Sequence, residues 1–134
     1  MKTSVIGFPR IGAQRELKFA SESYFKGEKT VQELLAVGKG LRKTHWLLQK
    51  NSGLDFIPSN DFSFYDGMLD TAVMLNAVPR RYRELKLDGI AGYFAMARGY
   101  QGANGDVKAL AMKKWFNTNY TTLFPKLKTT RRSD

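Results

Sequence analysis

Apolar and polar positions change period several times along the chain, and each change marks an expected element. Residues 3–7 (TSVIG) form a short β-branched run stopped by Gly7 and Pro9, the pattern of a buried strand opening into the loop FPRIGAQ. Residues 15–26 (RELKFASESYFK) place Leu17, Ala20 and Tyr24 at helical spacing, with Gly27 as the stop. Thr30 followed by Glu33 has the spacing of a capping box. Leu34, Leu41 and Leu48 then recur every seven residues beside Val31, Leu35 and Val37, so a helix is expected to run to about Lys50. Asn51, Ser52 and Gly53 end it.

The same order then repeats. Residues 54–57 (LDFI), bounded by Gly53 and Pro58, read as a second short strand that opens into the polar loop SNDFSFYD. A helix over residues 63–75 is expected to bury Tyr65, Leu69, Ala72 and Val73, Pro79 suits the first turn of another, and residues 87–98 read as a third, with a strand as the alternative for that apolar run. Three glycines in GYQGANGD, residues 99–106, call for a loop, after which Asp106 is placed to cap a helix carrying Val107, Leu110, Ala111 and Trp115. Residues 119–124 (NYTTLF) are a third strand candidate before Pro125. Strands separated by helices predict parallel pairing through right-handed crossovers, hence an α/β sheet or part of a barrel. No repeat, low-complexity tract or linker divides the 134 residues, so a single domain is expected.

Composition narrows the chemistry. Hydrophobic residues make up 43% of the chain, with nine Phe, six Tyr and two Trp, enough to build a core. The absence of cysteine excludes disulfides, thiolate zinc sites, iron–sulfur ligation and cysteine nucleophiles, and suits a reducing cytoplasm. The start MKTSVIGFPRIG has no apolar segment of the kind export uses, and no run approaches ~18 apolar residues, so no membrane partner is expected. Net charge is +10, and it is uneven: ten bases and four acids lie in residues 1–50, five and six in 51–105, seven and two in 106–134. Two basic ends around a neutral middle point to a polyanionic ligand or a nucleic-acid surface.

Each candidate motif has a structural reading beside its functional one. GFPRIG lacks the Gly-Lys-Ser/Thr of a phosphate loop and no G-x-G-x-x-G runs through it, yet Arg10 would stand at the end of a strand where ligands of α/β folds bind. Arg15 and Lys18 are two cations three residues apart at a helix start. They suit either an extended polycarboxylate or an ordinary solvated surface with Glu16 as partner. Asp61, Asp66 and Asp70 lack a His or Glu to complete a metal or acid–base site, which favours capping and solvent-facing roles. His45, the only histidine, is assigned no chemistry. Arg80, Arg81 and Arg83 around Tyr82, with the basic run 126–132, are the pattern that phosphate-backbone binding uses. Lys113 and Lys114 complement a helix end, or reach an anionic substrate.

Taken in order, GFPRIG with RELK after it, LRKTHWLLQ, IPSNDFSFYD with MLD behind it, VPRRY, YFAMARG and KKWFNTNY closely resemble the N-terminal region of the cobalamin-independent methionine synthases, the 5-methyltetrahydropteroyltriglutamate–homocysteine methyltransferases. The resemblance covers about residues 3 to 120. It implies a partial (β/α) TIM barrel with about three parallel strands and several connecting helices, the N-terminal part of a two-barrel enzyme. In that family, folate and homocysteine meet at an interdomain cleft, and zinc held by His, Cys and Glu of the C-terminal barrel activates the homocysteine thiolate. It further implies that Arg15, Glu16, Leu17, Lys18 and Lys114 contact 5-methyltetrahydropteroyltri-L-glutamate, whose tail is a flexible polyanion suited to charge-assisted bonds. No cofactor is then expected in this chain itself, no catalytic residue, and no methyl transfer without the C-terminal portion. Lys113 stands where the family often has Thr, and Lys126 follows Pro125 where an acidic residue is usual. Open sheet edges and uncovered helix faces predict self-association or a missing partner portion. The alternative function is a basic nucleic-acid-binding module.

Overall fold

A computed structural model describes residues 1–118 and 121–125. They form two compact units, residues 1–64 and the described residues from 65 onward, each with its own core. In the first, α1 (Glu16–Phe25) packs on α2 (Val31–Asn51). The expected capping box is present: Thr30 Oγ1 accepts the Glu33 N–H at 3.2 Å, and Glu33 Oε2 accepts the Thr30 N–H at 2.7 Å. These bonds hold the Glu33 carboxyl below its usual range. Leu34, Gly38, His45 and Gln49 form the buried stripe of α2, facing a core with Leu17 and Ala20 of α1. Steps of four, seven and four residues follow the 3.6-residue period, and this leaves Leu48, the third member of the seven-residue pattern, exposed.

The expected parallel strands are not formed. Residues 3–7 and 54–57 meet only in one isolated parallel bridge, Ser4 to Phe56. Side-chain bonds take the place of a ladder there. Asp55 Oδ2 accepts the Thr3 N–H at 2.7 Å and the Thr3 hydroxyl at 3.0 Å, the Asp55 N–H returns to Thr3 Oγ1 at 3.3 Å, and the Phe56 N–H reaches the Thr3 carbonyl at 3.1 Å. An Asp that binds its neighbour's backbone competes with sheet pairing.

Among the described residues the second unit holds α3 (Gly67–Met74), α4 (Arg80–Arg83), α5 (Gly89–Arg98) and two antiparallel strand pairs. β1 (Tyr100–Gly102) pairs antiparallel with β2 (Gly105–Val107), and β3 (Ala111–Lys114) with β4 (Thr121–Phe124). This corrects two expectations. The sheets are two separate antiparallel pairs, so the partial TIM barrel with parallel strands is overturned among the described residues. The helix expected after Asp106 is strand instead, because Ala111–Lys114 finds its partners at residues 121–124, a pairing distant in sequence that local spacing cannot register. Of the third strand candidate, residues 119 and 120 lie outside the described residues. Thr121–Phe124 is a strand, but an antiparallel one.

Tyr93 organises this core. Its hydroxyl accepts the N–H groups of Tyr65 at 2.9 Å and Asp66 at 3.1 Å, and Asp66 in turn caps α3 by accepting the Leu69 N–H at 3.0 Å. Buried Thr122 donates its hydroxyl to the same carboxylate at 3.1 Å, fastening β4 to the start of α3. Asp66 therefore caps, as expected, but it is half-buried against Thr122 and does not simply face solvent.

Candidate functional site

The GFPRIG loop is tied down by its own backbone and one arginine. The Phe8 N–H donates to Asp61 Oδ2 at 2.9 Å, Arg10 Nη1 donates to the carbonyls of Ser63 at 3.1 Å and Phe64 at 3.3 Å, and the Phe8 ring lies 4.5 Å from that of His45. Arg10 thus holds one loop to another, a role that counting motifs did not suggest.

From this anchor the chain turns into α1. Gly12 has φ 87°, a conformation open to glycine, and its carbonyl accepts the Arg15 N–H at 3.2 Å. Arg15 is itself left-handed, at φ 62° and ψ 31°, and exposed. Glu16 turns back to accept the Gln14 N–H at 3.0 Å. Leu17, 2% exposed, plugs the core while its N–H bonds the Ile11 carbonyl at 3.1 Å. Lys18 Nζ stands 3.8 Å from Glu22 Oε1, both side chains about half exposed, a spacing that contributes little to stability in water and leaves the ammonium able to change partners. The tetrad therefore divides: Arg15 and Lys18 present cations to solvent, whereas Glu16 and Leu17 hold the turn.

Lys114 belongs to the other unit, at the end of β3 opposite Thr121, with its side chain exposed. Lys113 lies with its ammonium 5.9 Å from the Phe124 ring, and alternation along the strand sends Lys114 to the opposite face of the ribbon. After it, Trp115 and Phe116 form an exposed turn closed by Thr118, whose N–H and hydroxyl both bond the Trp115 carbonyl.

The basic cluster of α4 is locally engaged. Arg80 pairs with Glu84 at 2.7 Å, Arg81 lies over the Tyr82 ring at 4.7 Å, and Arg83 donates to the carbonyls of Val78 and Asn76. The basic run 126–132 lies outside the described residues. Among the described residues no three His, Cys, Asp or Glu side chains converge as metal ligands. With no cysteine and a single histidine buried against Phe8, this chain's residues do not fit a zinc site. No helix among the described residues is long and apolar enough to cross a membrane.

Residues 2–134 match the family described as the cobalamin-independent synthase, N-terminal domain. Among curated proteins, the chain is 62% identical over 125 residues to the 5-methyltetrahydropteroyltriglutamate–homocysteine methyltransferase of Campylobacter jejuni subsp. doylei, covering 93% of this chain and 17% of that protein. It is 55% identical over 130 residues to the protein of the same name from Streptococcus thermophilus, covering 97% of this chain and 17% of the relative. The corresponding Bifidobacterium animalis subsp. lactis protein is 60% identical over 124 residues, 92% of this chain and 16% of its own. The chain thus spans about a sixth of the length of these relatives.

Proposed function

We propose, from the premise that this chain belongs to the cobalamin-independent synthase family through its N-terminal domain, that it binds the tail of 5-methyltetrahydropteroyltri-L-glutamate. It does so as part of an enzyme that moves the folate's methyl group to homocysteine to make methionine. The observation that carries the reading is the pair Arg15 and Lys18, two solvent-facing cations held on a turn that the Phe8, Arg10 and Leu17 contacts brace.

A triglutamate tail carries several carboxylates spaced along a flexible chain. An arginine fork and a lysine ammonium suit them differently: the first as a planar two-donor clamp, the second as a mobile point charge. Lys114, on an exposed strand of the other unit, is the further cation that the family resemblance assigns to the tail. Glu16 and Leu17 serve the same site by holding the turn. Binding, not methyl transfer, is what we assign to this chain, because its own residues offer no ligand set for the zinc that the family resemblance places in the C-terminal portion. Residues 1–134 are in this reading one part of the enzyme, working in the cytoplasm, with the remaining portion or a second copy covering the apolar side chains that each unit leaves exposed.

Calorimetric titration with the triglutamate folate, beside the monoglutamate form and a short RNA, tests the proposal. Affinity that rises with glutamate number and ignores RNA supports it. RNA binding that weakens steeply with salt, with no response to folate, would replace it by the nucleic-acid reading.

A further inference from the structure

Two residues without positive charge set the shape of the turn that carries Arg15. A Cβ on Gly12 would fall on the Glu16 carboxylate oxygen and come within 2.9 Å of Leu41 Cδ2, so the Glu16 side chain occupies the notch that the missing side chain leaves. From there Glu16 Oε2 accepts the Gln14 N–H at 3.0 Å. The Gly12 carbonyl holds the Arg15 N–H from the other side, and between the two bonds Arg15 adopts φ 62°, a conformation that disfavours any residue bearing a Cβ. Glu16 is also an unsuitable contact for a carboxylate tail, since like charges at short range repel.

From this geometry we infer that Gly12 and Glu16 form a latch that positions Arg15, and that Glu16 acts through its oxygen as a hydrogen-bond acceptor and not by touching the tail. The inference rests on the folate-tail reading above and names the residues that make its arginine specific. Glu16→Gln keeps an acceptor oxygen and removes the charge, so it separates the two roles.

The experiment uses the whole chain and reads two quantities: the ratio of triglutamate to monoglutamate affinity, and the melting midpoint. Glu16→Ala, and Gly12→Ala, which displaces the carboxylate, are expected to reduce that ratio about tenfold, the scale of one charge-assisted contact. Glu16→Gln is expected to leave it within about twofold of wild type, or raise it as repulsion is removed. Arg15→Gly relieves the left-handed strain, so its midpoint is expected to rise by about 3 °C while the preference for triglutamate disappears; Arg15→Ala loses the preference with no rise. Equal losses in Glu16→Gln and Glu16→Ala would overturn the acceptor role, and equal midpoints for Arg15→Gly and Arg15→Ala would overturn the strained latch. A wild-type chain that does not distinguish the two folates would overturn the tail reading and the positioning role with it. The midpoints of the two Arg15 variants would then judge the latch geometry on its own.

Discussion

Single side chains in this protein do work that their chemical type alone does not announce. Tyr93 is a buried tyrosine whose hydroxyl terminates two backbone N–H groups at the start of α3. Tyr93→Phe would keep the packed ring and strand both donors, at a cost of about 1–3 kcal/mol measurable by urea unfolding. Burial in the first place, helped by the Asp70 carboxylate and opposed by those N–H groups, pushes the Tyr93 phenol well above its ordinary value of 10.0. The folded state therefore keeps a proton that the unfolded chain releases above about pH 10, so this contribution is present below pH 10 and is lost as the pH rises further. Unfolding midpoints at rising alkaline pH should fall more steeply for wild type than for Tyr93→Phe. Lys18 offers a second test at this scale. Glu22 competes for its ammonium, and Glu22→Gln should raise triglutamate affinity about twofold by calorimetry, the scale of an exposed ion pair.

At the scale of elements, α2 shows how the same residue type takes opposite roles on two faces. A Cβ at Gly38 would stand 2.6 Å from Phe64 Cζ and 3.5 Å from Phe62 Cε1, whereas at Gly40 it would meet nothing within 4 Å. Gly40→Ala should therefore stabilise the protein by about 0.5–1 kcal/mol through helix propensity alone. Gly38→Ala gains the same propensity but must displace an aromatic ring, and is expected to destabilise by about 1 kcal/mol. Paired denaturation curves check both signs, and similar shifts for the two variants would mean that the Phe62–Phe64 segment does not pack on α2. Thr30→Ala, which removes the hydroxyl half of the capping box, should cost about 1 kcal/mol in the same assay.

Across the whole molecule, charge and apolar exposure oppose each other. A net charge of +10 keeps copies apart, while Ile6, Phe19, Leu48 and Phe56 of the first unit, and Met74 and Phe116 of the second, remain exposed. Salt screens the first effect and leaves the second, so the mass seen by light scattering should rise with sodium chloride concentration. A mass that stays at one chain across the salt series would refute association through these side chains.

The helices α1, α2 and α5, the Thr30–Glu33 box, the Asp66 cap and the family itself were legible in the amino-acid sequence, because periodicity and capping are short-range and six motifs stand in one order. Strand partners were not. Residues 3–7 look like a strand, yet Thr3 and Asp55 spend their polar groups on each other, and residues 106–115 space their apolar side chains like a helix until Ala111–Lys114 meets Thr121–Phe124. Among the tail-binding candidates, four adjacent letters looked alike as one motif, and only the folded turn separates Arg15 and Lys18 from the buried Leu17 and from Glu16, whose exposed carboxylate turns back onto the Gln14 N–H. A helix is written in bonds between near neighbours, whereas a strand, a notch or an aimed cation depends on what the rest of the chain brings beside it.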